Sequence, residues 1–123
     1  MKKNPINWFE IPVKNLERAA SFYEKILGCK LSIQDFGGLK MAWFPMVQDG
    51  PGATGSLVQQ ESYIPSYEGS MVYFSVEDIN KTLAQVEEHG GKVLNPKNSI
   101  GEFGFVAHFE DTEGNRVALH SDQ

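Results

Sequence analysis

A single cysteine, Cys29, among 123 residues excludes an intrachain disulfide, so no covalent staple holds this fold. One free thiol also suits a reducing compartment. Long apolar runs are missing too, and no stretch approaches the roughly 18 consecutive apolar residues of a membrane helix. The start "MKKNPINWFEIPV" is basic but holds no extended apolar stretch before Glu10. No cleaved secretory leader is therefore expected, and the chain reads as soluble and cytoplasmic, with no membrane partner. Positive charge is scarce: the formal net charge is −5, and no basic cluster follows Lys2 and Lys3. The electrostatic footprint of a nucleic-acid binder is missing with it. Neither a phosphate-cradling loop nor a Ser-His-Asp order stands out, since "GPGATG" lacks a P-loop lysine. These exclusions leave small molecules or other proteins as the expected partners. The length is that of one domain, 1–123, which buries about two thirds of its unfolded surface.

What is present is one plan written twice. In "WFEIPV", period-two alternation puts Phe9, Ile11 and Val13 on one strand face and Trp8, Glu10 and Pro12 on the other. The helix pattern follows in "KNLERAASFYEKILG", where Leu16, Ala19, Ala20, Tyr23, Ile26 and Leu27 fall at helical spacing between a candidate cap, Asn15, and a candidate stop, Gly28. Sixty-three positions later the plan returns in "MVYFSVEDINKTLAQVEEHGG": Val13 meets Val76, Leu16 meets Ile79 and Gly28 meets Gly91, with Asp78 as the second cap. Three strand-like segments follow each helix. The turns "QDGPG" and "EDTEG" align Asp49 with Asp111 at an offset of sixty-two, one fewer than before.

Each copy therefore reads βαβββ, with a first module at 6–58, a connecting loop at 59–69 and a second module at 70–121. A helix covers only one face of its sheet. The expected architecture is α+β, with the two modules in tandem forming curved mixed sheets around a shared cavity. A ferredoxin-like βαββαβ sandwich is the alternative, and it accounts less well for three strands after each helix. An open curved sheet leaves edges and apolar surface that a symmetric copy would cover, so a homodimer is expected. In the loop, Tyr63 and Tyr67 are candidates to close over the cavity rim or to pack the loop onto the sheet.

With "IPVKNLERAASFYEKILG", "VEDINKTLAQVEEHGGKV" and "FEDTEGNRVALHS" in this order, the sequence resembles the vicinal oxygen chelate superfamily, the glyoxalase, bleomycin-resistance and dioxygenase group. The resemblance covers nearly the whole chain and implies paired βαβββ modules around a cavity, often completed by dimerisation. Metal-dependent members place one ligand on the first and one on the last strand of each module. Carried over residue by residue, those positions hold Trp8, Ser56, Met71 and Ala118. Indole only donates, thioether is soft, alanine offers nothing and a neutral serine is a poor ligand. No metal and no cofactor is therefore expected. A shift of two residues would bring in Glu10, Tyr73, Val58 and His120, an incomplete ligand set.

The candidate site follows from facing. Glu10 shares its face with Trp8, and Tyr73 and His120 lie the same two-residue step beyond Met71 and Ala118, so all three are expected at one level of the cavity. Glu10 is the candidate acid or base, with His120 or Tyr73 assisting. The substrate-binding candidates are Trp8, Glu10, Ser56, Met71, Tyr73, Ala118 and His120. His89 reads as a helix-end residue, Cys29 as a buried inert thiol, and the facing of His108 is open. Two functions remain: a metal-independent lyase or isomerase of a small oxygenated metabolite, and a non-catalytic protein that sequesters a small cationic or planar compound, as bleomycin-resistance members do.

Overall fold

The computed structural model describes residues 4–123, so Lys2 and Lys3 lie outside the described part. The elements follow the duplicated plan. The first module runs β1 (Trp8–Pro12), α1 (Leu16–Leu27), β2 (Ser32–Phe36), β3 (Leu39–Trp43) and β4 (Thr54–Gln59). The second runs β5 (Tyr73–Ser75), α2 (Ile79–Glu88), β6 (Lys92–Ser99), β7 (Phe105–Glu110) and β8 (Arg116–Ser121), with a 3-10 turn at Gly101–Phe103. Each module makes a four-stranded mixed sheet, in the orders β1-β4-β3-β2 and β5-β8-β7-β6. The first strand of each module pairs parallel to the last and the rest pair antiparallel. The architecture is thus α+β with tandem βαβββ modules. Among the described residues no helix is long and apolar enough to cross a membrane.

Local chemistry sets the helix bounds. Asn15 and Asp78 have extended backbones, and their side chains accept the N–H groups of Arg18 and Lys81, which satisfies donors left free at each helix start. At the end of α1, Gly28 takes the left-handed conformation and its N–H reaches the Glu24 carbonyl. The second helix departs from expectation here. It stops earlier, at Glu88, and Gly90 rather than Gly91 carries the positive φ. Gly91 is needed for another reason: a Cβ there would sit 2.7 Å from the Glu110 carbonyl oxygen and 2.8 Å from Val86 Cγ1. Matching Gly28 to Gly90 gives the offset of sixty-two, so the residue missing from the second copy is lost at the end of its helix.

One core serves both modules. Leu16, Ala19, Phe22, Tyr23 and Ile26 of α1 and Ile79, Leu83 and Val86 of α2 are buried, and removal of each large side chain from water contributes roughly 1.5–3 kcal/mol. Aromatic rings join the halves. Tyr23 lies 5.7 Å from Phe44 of the first module and 5.6 Å from Phe74 of the second, while Phe9 meets Phe74 edge-on at 5.7 Å. Phe22 reaches Phe109 on β7 at 6.1 Å. Phe9, Ile11 and Phe74 therefore point into this core, and by alternation Trp8, Glu10, Tyr73 and Ser75 point to the helix-free faces.

The turn between β7 and β8 locks the modules together. Asp111, Glu113 and Asn115 are buried, although their sequence reads as a solvated turn. Asp111 Oδ1 accepts the backbone N–H groups of Glu113 and Asn115 at 2.8 and 2.9 Å, and its Oδ2 accepts the Tyr23 hydroxyl at 2.7 Å. Asn115 donates to the Pro12 carbonyl at 2.8 Å. Glu113 Oε1 accepts the N–H groups of Lys14 and Asn15, both at 2.8 Å, and the Arg18 guanidinium binds both of its carboxylate oxygens at 2.9 and 2.7 Å. Burial pushes Glu113 up, but the Arg18 guanidinium, the backbone donors and the Thr112 hydroxyl outweigh it and hold the carboxyl below its usual value. Asp111 goes the other way, because burial outweighs its hydrogen bonds.

The pH dependence follows from these signs. Glu113 contributes stability that is complete above its ordinary pKa and is lost as pH falls through its lower folded value. Asp111, raised in the fold, contributes below its ordinary value and loses that contribution as pH rises through the folded one. Glu113→Gln is therefore expected to cost about 2 kcal/mol at pH 7, discounted for the half-exposed Arg18, and to flatten the acid limb of the stability profile below about pH 4.5. Urea unfolding across pH 3–7 checks this; an acid limb as steep as that of the unsubstituted chain counts against the assignment.

Candidate functional site

On the helix-free face of the first sheet, strand register aligns Glu10, Ser56, Trp43 and Ser32 across β1, β4, β3 and β2. Trp8 stands beside this row, opposite Thr54. Its ring meets Trp43 edge-on at 5.7 Å, and Phe36 stacks on the other side of Trp43 at 5.8 Å. Three aromatic rings thus share this face with an exposed carboxylate. Glu10 accepts a long hydrogen bond from the Tyr63 hydroxyl, 3.3 Å, and among the described residues it makes no ion pair. Ser56 beside it is fully buried, and neither its Oγ nor the Trp43 Nε1 has a hydrogen-bond partner.

The second sheet repeats the row with different chemistry. Tyr73, Ala118, His108 and Asn95 align across β5, β8, β7 and β6. Tyr73 is half exposed and lies edge-on to the His108 ring at 6.3 Å. The Asn95 amide nitrogen donates to His108 Nδ1 at 3.0 Å, which leaves Nε2 to carry the proton. Burial, and after it the Arg116 charge, lowers the His108 pKa and favours the neutral ring. His120 lies one row further on, opposite Ser75, and its Nε2 donates to the Phe103 carbonyl at 2.7 Å.

A groove of about 1110 Å³ lies between the modules. It gathers three of the residues expected from the sequence, Trp8, Met71 and Tyr73, along with Phe9, Phe44 and Phe74. Glu10 lines an adjoining recess of about 220 Å³ with Pro12, Ile64 and Arg116. Ser56 and Ala118 are buried within their own sheets. Among the described residues Glu10, Tyr73 and His120 make no hydrogen bond to one another: Glu10 accepts from Tyr63, His120 donates to the Phe103 carbonyl, and Tyr73 meets the His108 ring edge-on. A two-residue step along a strand fixes facing but not lateral distance between sheets.

Of two further residues on these faces, the sequence does not single out Trp43, and it leaves the facing of His108 open. Trp43 shares a face with Leu39 and Met41, which alternation in "LKMAW" shows, but its approach to Trp8 depends on strand order. His108 joins Tyr73 by the same cross-strand route. Cys29 is partly exposed rather than buried, beside the groove, and burial followed by the Glu24 charge raises its thiol pKa. His89 caps the end of α2, its N–H on the Gln85 carbonyl. The connecting loop is tied to both sheets, Tyr63 to Glu10 and Tyr67 to Glu110.

Trp8, Ser56, Met71 and Ala118 do not fit a divalent cation, for the donor chemistry given above. Among the described residues no group of three or more His, Cys, Asp or Glu side chains is placed to hold one.

The model of the Glyoxalase/Bleomycin resistance protein/Dioxygenase superfamily matches residues 5–119. A glyoxylase-like domain-containing protein of Didymella fabae is 32% identical over 126 residues, covering 93% of this chain and 91% of that protein. Among solved structures, a glyoxalase I variant of Zea mays superposes with a TM-score of 0.74 at 25% identity, covering 96% of this chain. This chain spans 47% of the maize protein, about half its length. TnmS3, an antibiotic binding protein of a Streptomyces species, superposes with a TM-score of 0.68 at 26% identity over 100% of this chain and 99% of its own.

The neutral, Nε2-protonated state of His108 is open to direct measurement. Its ring is expected to titrate below the ordinary value of about 6.5, and Arg116→Gln recovers only the smaller part of the depression because burial is the larger cause. Imidazole nitrogen NMR reads both tautomer and titration; a His108 that titrates above the ordinary value contradicts the placement.

Proposed function

The chain belongs to the glyoxalase, bleomycin resistance and dioxygenase superfamily, and from that premise we propose that it is a non-catalytic small-molecule binding protein of the sequestering kind. Its ligand is a small planar cation held against the helix-free face of the first sheet. The observation that carries this reading is the aromatic cluster of Trp8, Trp43 and Phe36 on the same face as an exposed Glu10 that makes no ion pair among the described residues. Aromatic faces attract cations, and a carboxylate adds a countercharge. The likeness to an antibiotic binding protein along its full length agrees with a binding role.

The alternative, a metal-independent lyase or isomerase using Glu10, Tyr73 and His120, has less support. An acid-base pair has to meet the same substrate atoms, and Glu10 and His120 are each engaged elsewhere. The acidic chain, net −5, also draws cations toward the site.

Binding is open to a direct assay because both tryptophans of the chain, Trp8 and Trp43, sit in the site. Quenching of their fluorescence by N-methylquinolinium is the expected signal. Trp43→Ala should abolish binding, Glu10→Gln should weaken it about threefold, as suits an exposed charge, and His120→Ala should leave it unchanged. Loss of binding in His120→Ala with retention in Trp43→Ala would overturn the reading.

We infer in addition that the chain works as a homodimer in the cytoplasm. Ile33 and Phe36, both more than half exposed at 55% and 53%, lie on the edge strand β2, where a second copy would cover apolar surface and open backbone groups together. Light scattering at micromolar concentration should return twice the 13.7 kDa chain mass, and a monomer there refutes it.

A further inference from the structure

We propose that Ser56 and Trp43 form an acceptor pocket under the aromatic face, so that the ligand is an aromatic cation bearing a carbonyl-type oxygen beside its ring. This rests on the binding reading given above and adds to it the polar chemistry of the ligand.

Two donors on this face have no partners. Ser56 is fully buried and its Oγ makes no hydrogen bond; the Trp43 Nε1 is likewise buried and unpaired. Strand register places the two residues directly opposite each other on the same face. Side chains so paired start from Cβ atoms about 5 Å apart, which puts both within the span of one ligand group. Buried polar groups in folded proteins are almost always satisfied, so two orphans side by side on a face that no helix covers mark a place where a partner is missing.

The chemistry of the missing partner follows. An indole N–H only donates, and a serine hydroxyl opposite it donates equally well, so the partner is an acceptor. A ligand ammonium is excluded at this point. Glu10 occupies the next place in the same row, opposite Ser56, and its carboxylate disfavours an anionic acceptor. A neutral carbonyl on a molecule whose charge is positive meets all three conditions: its oxygen at Ser56 and Trp43, its ring among the aromatics, and its charge toward Glu10.

Access runs past Trp8, whose ring closes edge-on against Trp43 at 5.7 Å and is itself only partly buried. Turning that ring about its own side-chain torsions opens the row without moving the sheet. Tyr63 then yields its 3.3 Å contact to Glu10 when the cation arrives.

The test compares 3-acetyl-1-methylpyridinium with 3-ethyl-1-methylpyridinium, two monocations of similar shape that differ in one carbonyl. Their affinities for the full chain are read by tryptophan quenching. The acetyl compound is expected to bind about tenfold more tightly, as one well-made buried hydrogen bond implies. Ser56→Ala and Trp43→Phe, each checked by circular dichroism for native fold, should bring the ratio to within about twofold of unity while binding of the ethyl compound persists. If one variant fails to fold, the other decides. Equal affinities for the unsubstituted chain, or a preference that survives both substitutions, overturns the acceptor pocket and leaves the binding reading standing. Binding of neither cation overturns the binding reading, and the acceptor pocket with it.

Discussion

The buried carboxylate of Glu113 is the contact on which the arrangement of the two modules depends. It takes the free N–H groups of Lys14 and Asn15 at the start of α1 and closes the Arg18 guanidinium over them, so a turn from the last hairpin finishes the first helix. Asp111 braces the same turn from within and ties it to Tyr23, whose ring in turn touches Phe44 and Phe74. The contacts span nearly the whole sequence, since residues near 14 meet residues near 113. Removing one partner leaves a charge in a dry place, a penalty of several kcal/mol for a fully buried group. A turn that looks like surface in the sequence is thus the clamp that sets one sheet against the other.

The duplication is uneven at this point. The matching turn of the first copy, around Asp49 to Gly52, is largely exposed and puts Asp49 itself in the left-handed region. Only one of the two copies needs to dock its turn for the core to close, because Tyr23 and Phe22 of α1 already reach both sheets. The first copy's turn is free of that duty and lies beside the groove, where Pro51 and Gly52 form part of the wall.

The sequence disclosed local decisions well. Asn15 and Asp78 could be assigned as caps because a cap is settled within four residues, and the facing of Glu10 followed from its immediate neighbours. The offsets between the copies located a one-residue change, though not that Gly90 rather than Gly91 would take the positive φ; Gly91 is fixed by the approach of β7, which no local pattern contains. Burial of Asp111 and Glu113 was hidden for the same reason, since Glu113 is compensated by donors about a hundred residues away and Asp111 is covered by Tyr23 from α1. So was the aromatic cluster. Trp8 and Trp43 stand on strands separated by β4 and meet across it, and strand order is a property of the whole sheet.

The two helix-free faces keep one geometry and differ in side chains. Glu10 corresponds to Tyr73, Ser56 to Ala118 and Trp43 to His108 in rows of the same register. Ala118 has no hydroxyl, and His108 already uses its Nδ1 on Asn95, so the second face presents neither the paired unsatisfied donors nor the carboxylate of the first. The second face presents a half-exposed tyrosine and a histidine whose lowered pKa favours the neutral ring, with no carboxylate in the row. Divergence between the copies therefore leaves the two helix-free faces chemically distinct. The register is common to both sheets, so the faces differ at three aligned positions while one core is shared behind them.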